Sequence, residues 1–395
     1  MTSTAVPENG IRVLALLSGV VMYGAERANL EALNALMEKG ARVQLLVSSD
    51  PWAEPMRKEL AALGYDLAFA PYITPPRPDY PINPLINFPW VIARASLAFL
   101  NARRRFRPTH ILANTQLNVL SVLPALAVTR TPLVYRCGDK PVTHNRLYSL
   151  VWRFIVRRAS AFVAVSRFIA DKMREHGAPE EALHVVYSRP PARVVTEPFD
   201  TALVEPGCFN IMFVGQVNAT KGADCLVEAF ETVATRHPNA RLFIAGRVSD
   251  WVGDAWAREL RDATLAKPDL AGRVHFLGYL EDVPGLLAHA DVVAAPTVTD
   301  EPLANVVMEA KKAGAPTVVF RSGGLPEVIE HGVDGFICET RTAQALADAL
   351  DAYVADPAMA KRQGEAARAS LARFGVNEFA ERWTAIYRAI QRPGR

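Results

Sequence analysis

Apolar residues recur along this chain in two alternating rhythms. Ile11–Ser18 (IRVLALLS) is a short apolar run rich in strand formers, a glycine-containing loop follows, and Ala25–Lys39 then carries apolar residues at helical spacing up to Gly40. A second strand-like run, Ala41–Ser48, comes next. Strand, helix and strand joined by short links make a βαβ unit, and such units imply a parallel sheet. The alternation continues. Thr109–Asn114, Pro132–Arg136 and Ala161–Val165 read as strands, while Leu117–Val128, Tyr148–Arg158 and Arg167–His176 read as helices, the last stopping at Gly177.

Residues 187–208 break the rhythm with several prolines and no helical period. It then restarts. Asn210–Gly215, Ala240–Ala245, Val274–Leu277, Asp291–Ala295 and Pro316–Phe320 read as strands. Ala223–Arg236, Trp256–Lys267, Val283–His289, Leu303–Ala313 and Leu325–Glu330 read as the helices between and after them, with Thr342–Val354 and Asn377–Ile390 as terminal helices. The expected organisation is therefore a first α/β domain over 1–190, a linker over 191–208 and a second α/β domain over 209–375. A closing helix within 376–395 is expected to pack back toward the first domain. Two doubly wound sheets put their ligand crevices at the C-terminal ends of their strands, and facing one another they would leave an interdomain cleft.

Bulk properties narrow the class. A chain of 395 residues suits two domains, and 50% apolar with 22% charged residues is a globular composition. The net charge of +3 does not by itself argue for nucleic acid, and none is expected as a partner. Cys137, Cys208, Cys225 and Cys338 lie far apart with no C-x-x-C pair, which speaks against a zinc site or a disulfide framework and fits a reducing cytosol. The opening MTSTAVPENG lacks the pattern of a secretory signal, and no long uninterrupted apolar run is present. The expectation is a cytoplasmic protein, including one seated on the inner face of a membrane.

The most informative stretch is 292–335, where a strand runs into the loop TVTDEP and then the helix LANVVMEAKKAG. Glu301 in the loop and Glu309 on the helix have seven residues between them. Helix side chains lean toward the N-terminus, so Glu309 can point back toward that loop. The helix start near Ala304, Asn305 and Val306 is an anion site aided by the helix dipole. A phosphate there, flanked by two carboxylates that accept hydrogen bonds from hydroxyl-bearing rings, suits a nucleotide sugar. The alternative is a helix-start acid and a solvated helix acid. Three further strand-to-helix junctions carry small residues: Gly215 with Lys221 and Gly222, where the lysine would clamp a diphosphate; Ser322, Gly323 and Gly324; and Tyr23-Gly24-Ala25-Glu26, where glycine lets backbone approach a ligand.

Taken together, GQVNATKG, RVHFLGYL, DEPLANVVMEA and SGGLPEVIEHGVDGFI, preceded by YGAERANLEALNAL and SAFVAVSRFIADKMREHG, resemble the large family four of retaining glycosyltransferases over nearly the whole chain. The resemblance implies the GT-B fold, two Rossmann-like doubly wound domains facing a cleft. It implies that Glu301 binds hydroxyls of the donor sugar, that Glu309 binds the ribose and that Lys221 neutralises the departing diphosphate. Asn305, Ala304 and Val306 would give N–H groups to the phosphates. Gly215, Gly246, Leu277 and Gly278 would border the donor, and Gly24 would approach the diphosphate from the other domain. Such enzymes generally need no metal, and the chain has no Asp-x-Asp pair. No cofactor is expected; the donor is a substrate, a UDP-sugar or GDP-mannose, and the acceptor a saccharide or a lipid-linked glycan.

Two departures stand out. Gln216 takes the place of an arginine that the family often has, so Lys221 would carry more of the phosphate charge. Gly138 takes the place of a histidine, and Asp139, Arg136 or His144 would substitute, with Asp139 taken as catalytic. The alternative for these three is a turn with surface charges. A third, milder change is VVYSRPP where the family commonly has a Pro-Asn-Gly turn. Gln216 and Gly138 keep open a non-catalytic subunit that binds the nucleotide sugar or partners an active transferase, and the rival among enzymes is an epimerase or hydrolase on the same fold. Finally, Pro89–Arg107 reads as a helix with an apolar face and a basic end (Arg103, Arg104, Arg105, Arg107), and Tyr148–Arg158 as a weaker second case. Either both contact an anionic membrane or both cover the first sheet with solvated basic ends. The proline-rich 71–89 segment is expected to form an acceptor-side loop.

Overall fold

The computed structural model describes residues 10–73, 88–190, 195, 197–246 and 253–390. Two compact units result, the first from Met1–Ser188 with Asn377–Arg395, the second from Arg189–Val376.

In the first unit β1 (Arg12–Leu17), α1 (Gly24–Glu38), β2 (Arg42–Ser48), α2 (Glu54–Ala62) and β3 (Asp66–Ala70) form one half of a doubly wound layer. The other half is α3 (Phe88–Phe106), β4 (His110–Ala113), α4 (Gln116–Ser121), α5 (Leu123–Val128), β5 (Leu133–Cys137), α6 (Arg146–Arg158), β6 (Ala159–Ala164), α7 (Arg167–Glu175) and β7 (Leu183–Val185). The seven strands run in the order β3-β2-β1-β4-β5-β6-β7, with parallel pairing throughout. The helix expected over 117–128 is broken at Val122, and Pro124 explains the break: it has no N–H to donate and its ring crowds the preceding turn. Strands β3 and β7 and helix α2 go beyond the elements read from the sequence. Of the expected acceptor-side loop, residues 74–87 lie outside the described residues.

The second unit opens with Arg189, so it takes in the segment expected as a linker; Phe199 there is buried and its N–H donates to the Asp282 carboxylate at 3.0 Å. Its elements are β8 (Phe209–Val214), α8 (Ala223–Arg236), β9 (Ala240–Ala245), α9 (Gly253–Leu265), β10 (Val274–Gly278), α10 (Val283–Leu287), β11 (Val292–Ala295), α11 (Asn305–Ala313), β12 (Thr317–Phe320), α12 (Leu325–Val328), β13 (Gly335–Cys338), α13 (Ala343–Ala355) and α14 (Pro357–Ser370). The six strands are again all parallel, in the order β10-β9-β8-β11-β12-β13. Each sheet reverses its strand order once, at β1/β4 and at β8/β11, and those are the points where a doubly wound sheet opens a crevice for ligands. Each sheet is the middle layer between helices on its two faces, which is why the strands are near-continuous apolar runs rather than alternating ones.

The last helix, α15 (Phe379–Ala389), belongs to the first unit. Phe379, Trp383, Ile386 and Tyr387 enter the core built from β1, β2 and α1. Each large aromatic removes on the order of 200 Å² from water, roughly 5 kcal/mol before entropic costs. No helix among the described residues is long and apolar enough to cross a membrane.

The docking of α15 gives the first unit a pH response. His110 on β4 is fully buried with its ring 4.9 Å from that of Tyr387, and burial pushes its pKa down to about 4. An unfolded histidine titrates near ~6.5, so between these values the unfolded chain binds a proton that the folded chain refuses. Stability from this group is complete above the upper value and is lost as pH falls through the window. Urea unfolding at about pH 7 and about pH 5 should show a decline that is ~2 kcal/mol smaller in His110→Phe than in the unmodified chain. Equal declines would show that His110 does not titrate on unfolding.

Candidate functional site

Strands β8 and β11 are hydrogen-bonded neighbours, so the loops leaving their C-terminal ends lie side by side. The first loop, 215–222, ends in a short turn whose start is capped by Asn218: its side-chain oxygen accepts the Lys221 N–H at 2.9 Å and the Thr220 hydroxyl at 2.8 Å. The second, 296–304, carries Glu301. Two contacts join the loops. The Val298 N–H donates to the Thr220 carbonyl at 3.0 Å, and the Lys221 ammonium forms an ion pair with the Glu301 carboxylate. Gly222, at φ +73°, lies against the second loop so closely that a β-carbon there would sit 2.1 Å from the Pro296 carbonyl oxygen. Only glycine fits both that backbone angle and that approach.

Glu301 is held by its backbone as well as by its charge. Its N–H donates to the Ser322 hydroxyl at 3.1 Å, its carbonyl accepts the Gly324 N–H at 2.8 Å, and the Ser322 hydroxyl donates to the Thr299 carbonyl. Gly323 sits between at φ +52°, where a β-carbon would lie 2.1 Å from the Glu301 carbonyl oxygen. The Ser322-Gly323-Gly324 segment, read from the sequence as another small-residue helix start, is thus the clamp on the Glu301 backbone. Arg341 completes the scaffold by donating to the Val298 carbonyl at 2.5 Å, the Arg321 carbonyl at 2.9 Å and the Asp300 carboxylate at 3.2 Å.

Helix α11 starts immediately after this loop. Ala304 caps it without any side-chain acceptor, so the first turn offers backbone N–H groups at the positive end of the helix. Asn305 is partly exposed, Ala304 and Val306 are buried, and Glu309 lies buried about one turn along. The far end of α11 is pinned by Lys311, whose fully buried ammonium bonds Asp334 at 2.7 Å and Ser370 at 2.9 Å. On the other side of β8, three glycines end adjacent strands. The Gly215 N–H donates to the Ala245 carbonyl at 3.0 Å and the Gly246 N–H to the Gly278 carbonyl at 2.7 Å; a β-carbon on Gly246 would fall 1.6 Å from the Gly215 oxygen. Leu277 is the extra residue of a bulge between Phe276 and Gly278, and both Leu277 and Gly278 reach the surface. The Gln216 side chain accepts from Asn218 at 3.4 Å.

The remaining expected residues lie in the first unit. Gly24 is exposed and opens α1. Glu26 folds back so that its carboxylate takes the N–H groups of Tyr23 and Glu26 itself, half of a capping box, and burial raises its pKa. That carboxylate rests on Gly19, where a β-carbon would come within 2.8 Å of it. Asp139 is exposed after β5, its carboxylate accepting the Lys140 N–H at 2.6 Å. His144 is exposed against Tyr148. Arg136 has a structural task instead: it is buried, bonds Asn29 of α1 at 2.8 Å, and desolvation lowers its pKa to about 10. Among the described residues, no group of three or more His, Cys, Asp or Glu is placed to hold a metal ion.

Of the expected donor-site residues, the structure therefore brings together Lys221, Glu301 and the start of α11 at one switch point, with Gly215, Gly246 and Gly278 on adjacent strand ends. Asn218 and Arg341 are the additions, and Ser322 takes a new role as a tie on the Glu301 backbone. Asn218 had a readable signal, a capping residue three before Lys221; Arg341 had none, being forty residues away from the loop it ties.

Known proteins match this chain in sequence and in fold. The family model "Glycosyl transferase 4-like domain" matches residues 23–188, and "Glycosyl transferases group 1" matches residues 202–370. A putative glycosyltransferase, YtcC, of Bacillus subtilis (strain 168) is 30% identical over 191 residues, 46% of each chain. A glycogen synthase of Mycobacterium tuberculosis is 29% identical over 231 residues, 58% of this chain and 53% of that one. The chain spans about half the length of these curated relatives. In fold, the chain is similar to Anabaena Alr3699/HepE, solved with UDP and glucose, at a TM-score of 0.76 and 22% identity over 96% of this chain and all of that one.

The clamp on Glu301 is testable by substitution. Gly323→Ala must accommodate both a left-handed backbone angle and a backbone overlap, and should cost on the order of 2 kcal/mol or more in urea unfolding. Gly332 also has a positive φ, but nothing lies within 4 Å of an added β-carbon there. Gly332→Ala should therefore lose only the conformational part, ~1 kcal/mol. Equal losses at the two positions would remove the steric argument.

Proposed function

The chain belongs to the glycosyl transferases group 1 family, and from that premise we propose that it moves a sugar from a nucleotide-sugar donor to a saccharide or lipid-linked acceptor with retention of anomeric configuration. The observation that carries this reading is the meeting of Lys221 and Glu301 beside the N-terminus of α11.

Breaking the bond between an anomeric carbon and a diphosphate leaves a nucleoside diphosphate that has gained negative charge. What lowers the barrier is positive potential already aimed at the leaving oxygens. The Lys221 ammonium and the first N–H groups of α11 are two such sources, one a charge and the other a set of dipoles, and both are fixed by backbone contacts rather than by long side chains alone. In this reading the diphosphate lies over Asn305 and its neighbours and takes the Lys221 ammonium. Glu301, on a clamped loop, accepts hydrogen bonds from sugar hydroxyls, and Glu309 accepts those of the ribose. The glycines that end β8, β9 and β10 leave room for the nucleoside to approach backbone. Gln216 adds a neutral hydrogen bond where a second positive charge would otherwise stand. The work is positioning and electrostatics, with neither a resident cofactor nor a metal in the reading. The complex of UDP and glucose with the structurally similar Anabaena protein favours a uridine nucleotide as the donor base.

A thermal-unfolding screen against uridine, guanosine and adenosine diphosphates and their sugars tests the donor. A ligand at a hundred times its dissociation constant stabilises the native state by ~2.7 kcal/mol and raises the midpoint by several degrees. Glu309→Ala should weaken that shift, whereas Glu301→Ala should leave much of it and lower turnover by roughly a hundredfold or more, as should Lys221→Met. No shift with any nucleotide would sink the reading, and sugar release at the same rate with and without acceptor would replace transfer by hydrolysis.

A further inference from the structure

We propose that the helix layer of the first unit formed by α3 to α6 docks on an anionic lipid surface, with the outer faces of α3 and α6 lying along it. This surface is independent of what the second unit binds.

Charge is the first observation. Residues 88–158 hold 12 of the chain's 44 Lys and Arg but only one of its 41 Asp and Glu, a local excess of +11. Three of these bases are engaged inside the fold: Arg136 with Asn29, Arg158 with the carbonyls of Thr129 and Thr131, and Arg103 with Thr131. The other nine are exposed, and the single acid, Asp139, is the only counter-charge in the segment.

Placement is the second. Helix α4 packs against both α3 and α6, and α3 also packs on α5, so these helices form one layer. Helix α3 turns Ala95, Ser96, Phe99 and Ala102 inward. Its opposite stripe is Trp90, Arg94, Leu97, Asn101 and Arg104, at the spacing of one helix face. Helix α6 repeats the arrangement: Val151, Trp152 and Ile155 are buried, while Arg146, Leu150, Arg153 and Arg157 face solvent.

The third observation decides what lies opposite. Among the bases stand large apolar side chains in water: Trp90 is 64% exposed, Leu97 62% and Leu150 54%. The Arg94 guanidinium lies over the Trp90 ring, 5.9 Å from its centre, leaving that indole flanked by charge. A row of phosphates on nucleic acid would reward the arginines but not the leucines. A second copy of the same face would set these exposed bases against their own like charges. An anionic bilayer rewards both, since headgroups take the bases while Trp and Leu enter the boundary with the acyl chains.

The test is flotation of the full chain with vesicles of phosphatidylcholine alone or with about a third phosphatidylglycerol. Binding to the anionic vesicles, weakened by added salt and absent from the neutral ones, is expected. Arg104→Glu/Arg105→Glu and Arg153→Glu/Arg157→Glu should each lower partition roughly tenfold or more. Trp90→Ser/Leu97→Ser should lower it several-fold at unchanged charge; all these positions are exposed, so the unfolding midpoint should not move. Equal partition into neutral vesicles, or unaltered partition in both charge-reversal variants, overturns the proposal. So does tight binding to duplex DNA together with full vesicle partition by Trp90→Ser/Leu97→Ser, which would mark a general polyanion face.

Discussion

The second unit depends on backbone approaching backbone more closely than any side chain allows. Gly222 abuts the Pro296 carbonyl, Gly323 the Glu301 carbonyl and Gly246 the Gly215 carbonyl, each at a distance that a β-carbon could not share. These contacts lie at the C-terminal ends of parallel strands, where the loops after β8 and β11 must run side by side. The Lys221–Glu301 ion pair spans those loops, but its members are 31% and 12% exposed, and a pair of that kind contributes about 1 kcal/mol or less. It therefore reports the geometry rather than creating it. The glycine contacts and the bonds from Val298, Ser322 and Arg341 create it, and the charges meet because the backbone has left them no other place.

The orientation of α11 follows from its other end. Lys311 is fully buried, its pKa lowered by desolvation despite the Asp334 carboxylate, and it also lies over the Phe374 ring. Leaving one partner of such a pair alone in the interior costs about 3–5 kcal/mol, so the lysine has one available rotation of its helix. Two residues along a helix is about 200° of turn. Fixing Lys311 toward α14 and Asp334 therefore sends Glu309 to the opposite side, away from that packing. A buried ion pair that does little for net stability sets the register of the helix that carries a proposed ligand contact.

The alternating strand and helix rhythm was enough to read most of both sheets, because parallel strands buried on two faces are apolar throughout and stand out from their flanks. The elements left unread share a physical reason. Helix α14 buries Ala360, Gln363, Gly364, Ala367 and Ser370, and a β-carbon on Gly364 would lie 2.0 Å from the Gly314 carbonyl oxygen. A helix that docks through small and polar residues has no hydrophobic stripe to detect. Strand β3 is an edge strand whose Phe69 faces solvent, and β7 and β13 are three and four residues long. In the candidate site, Glu301 and Lys221 stand out because each lies at a strand-to-helix junction, although the pair they form joins residues eighty apart. Ser322 reads in the sequence as part of a helix start, since the partner that makes it a clamp is twenty-one residues away. From the sequence Arg136 reads as a surface or ligand group, whereas it is a buried tie, a distinction that depends on Asn29, 107 residues earlier.

Net charge concealed the other large feature of this chain for a related reason. A total of +3 describes a nearly neutral protein, yet 71 residues carry +11, so the remaining 324 carry −8. Averages over a chain erase segregation, and segregation is what an electrostatic field responds to: bases within a Debye length of a surface act together, while acids farther off are screened. Among the described residues, six of the fifteen large hydrophobic side chains that stand exposed fall in that same segment, under a fifth of the sequence. Helices that merely cover a sheet gain nothing from holding arginines and leucines together on the outer face, since there each leucine costs solubility and each arginine repels its neighbours. Both costs vanish only against something anionic and apolar in turn, and the spacing along α3 and α6 places the two kinds of side chain where one flat boundary meets them together.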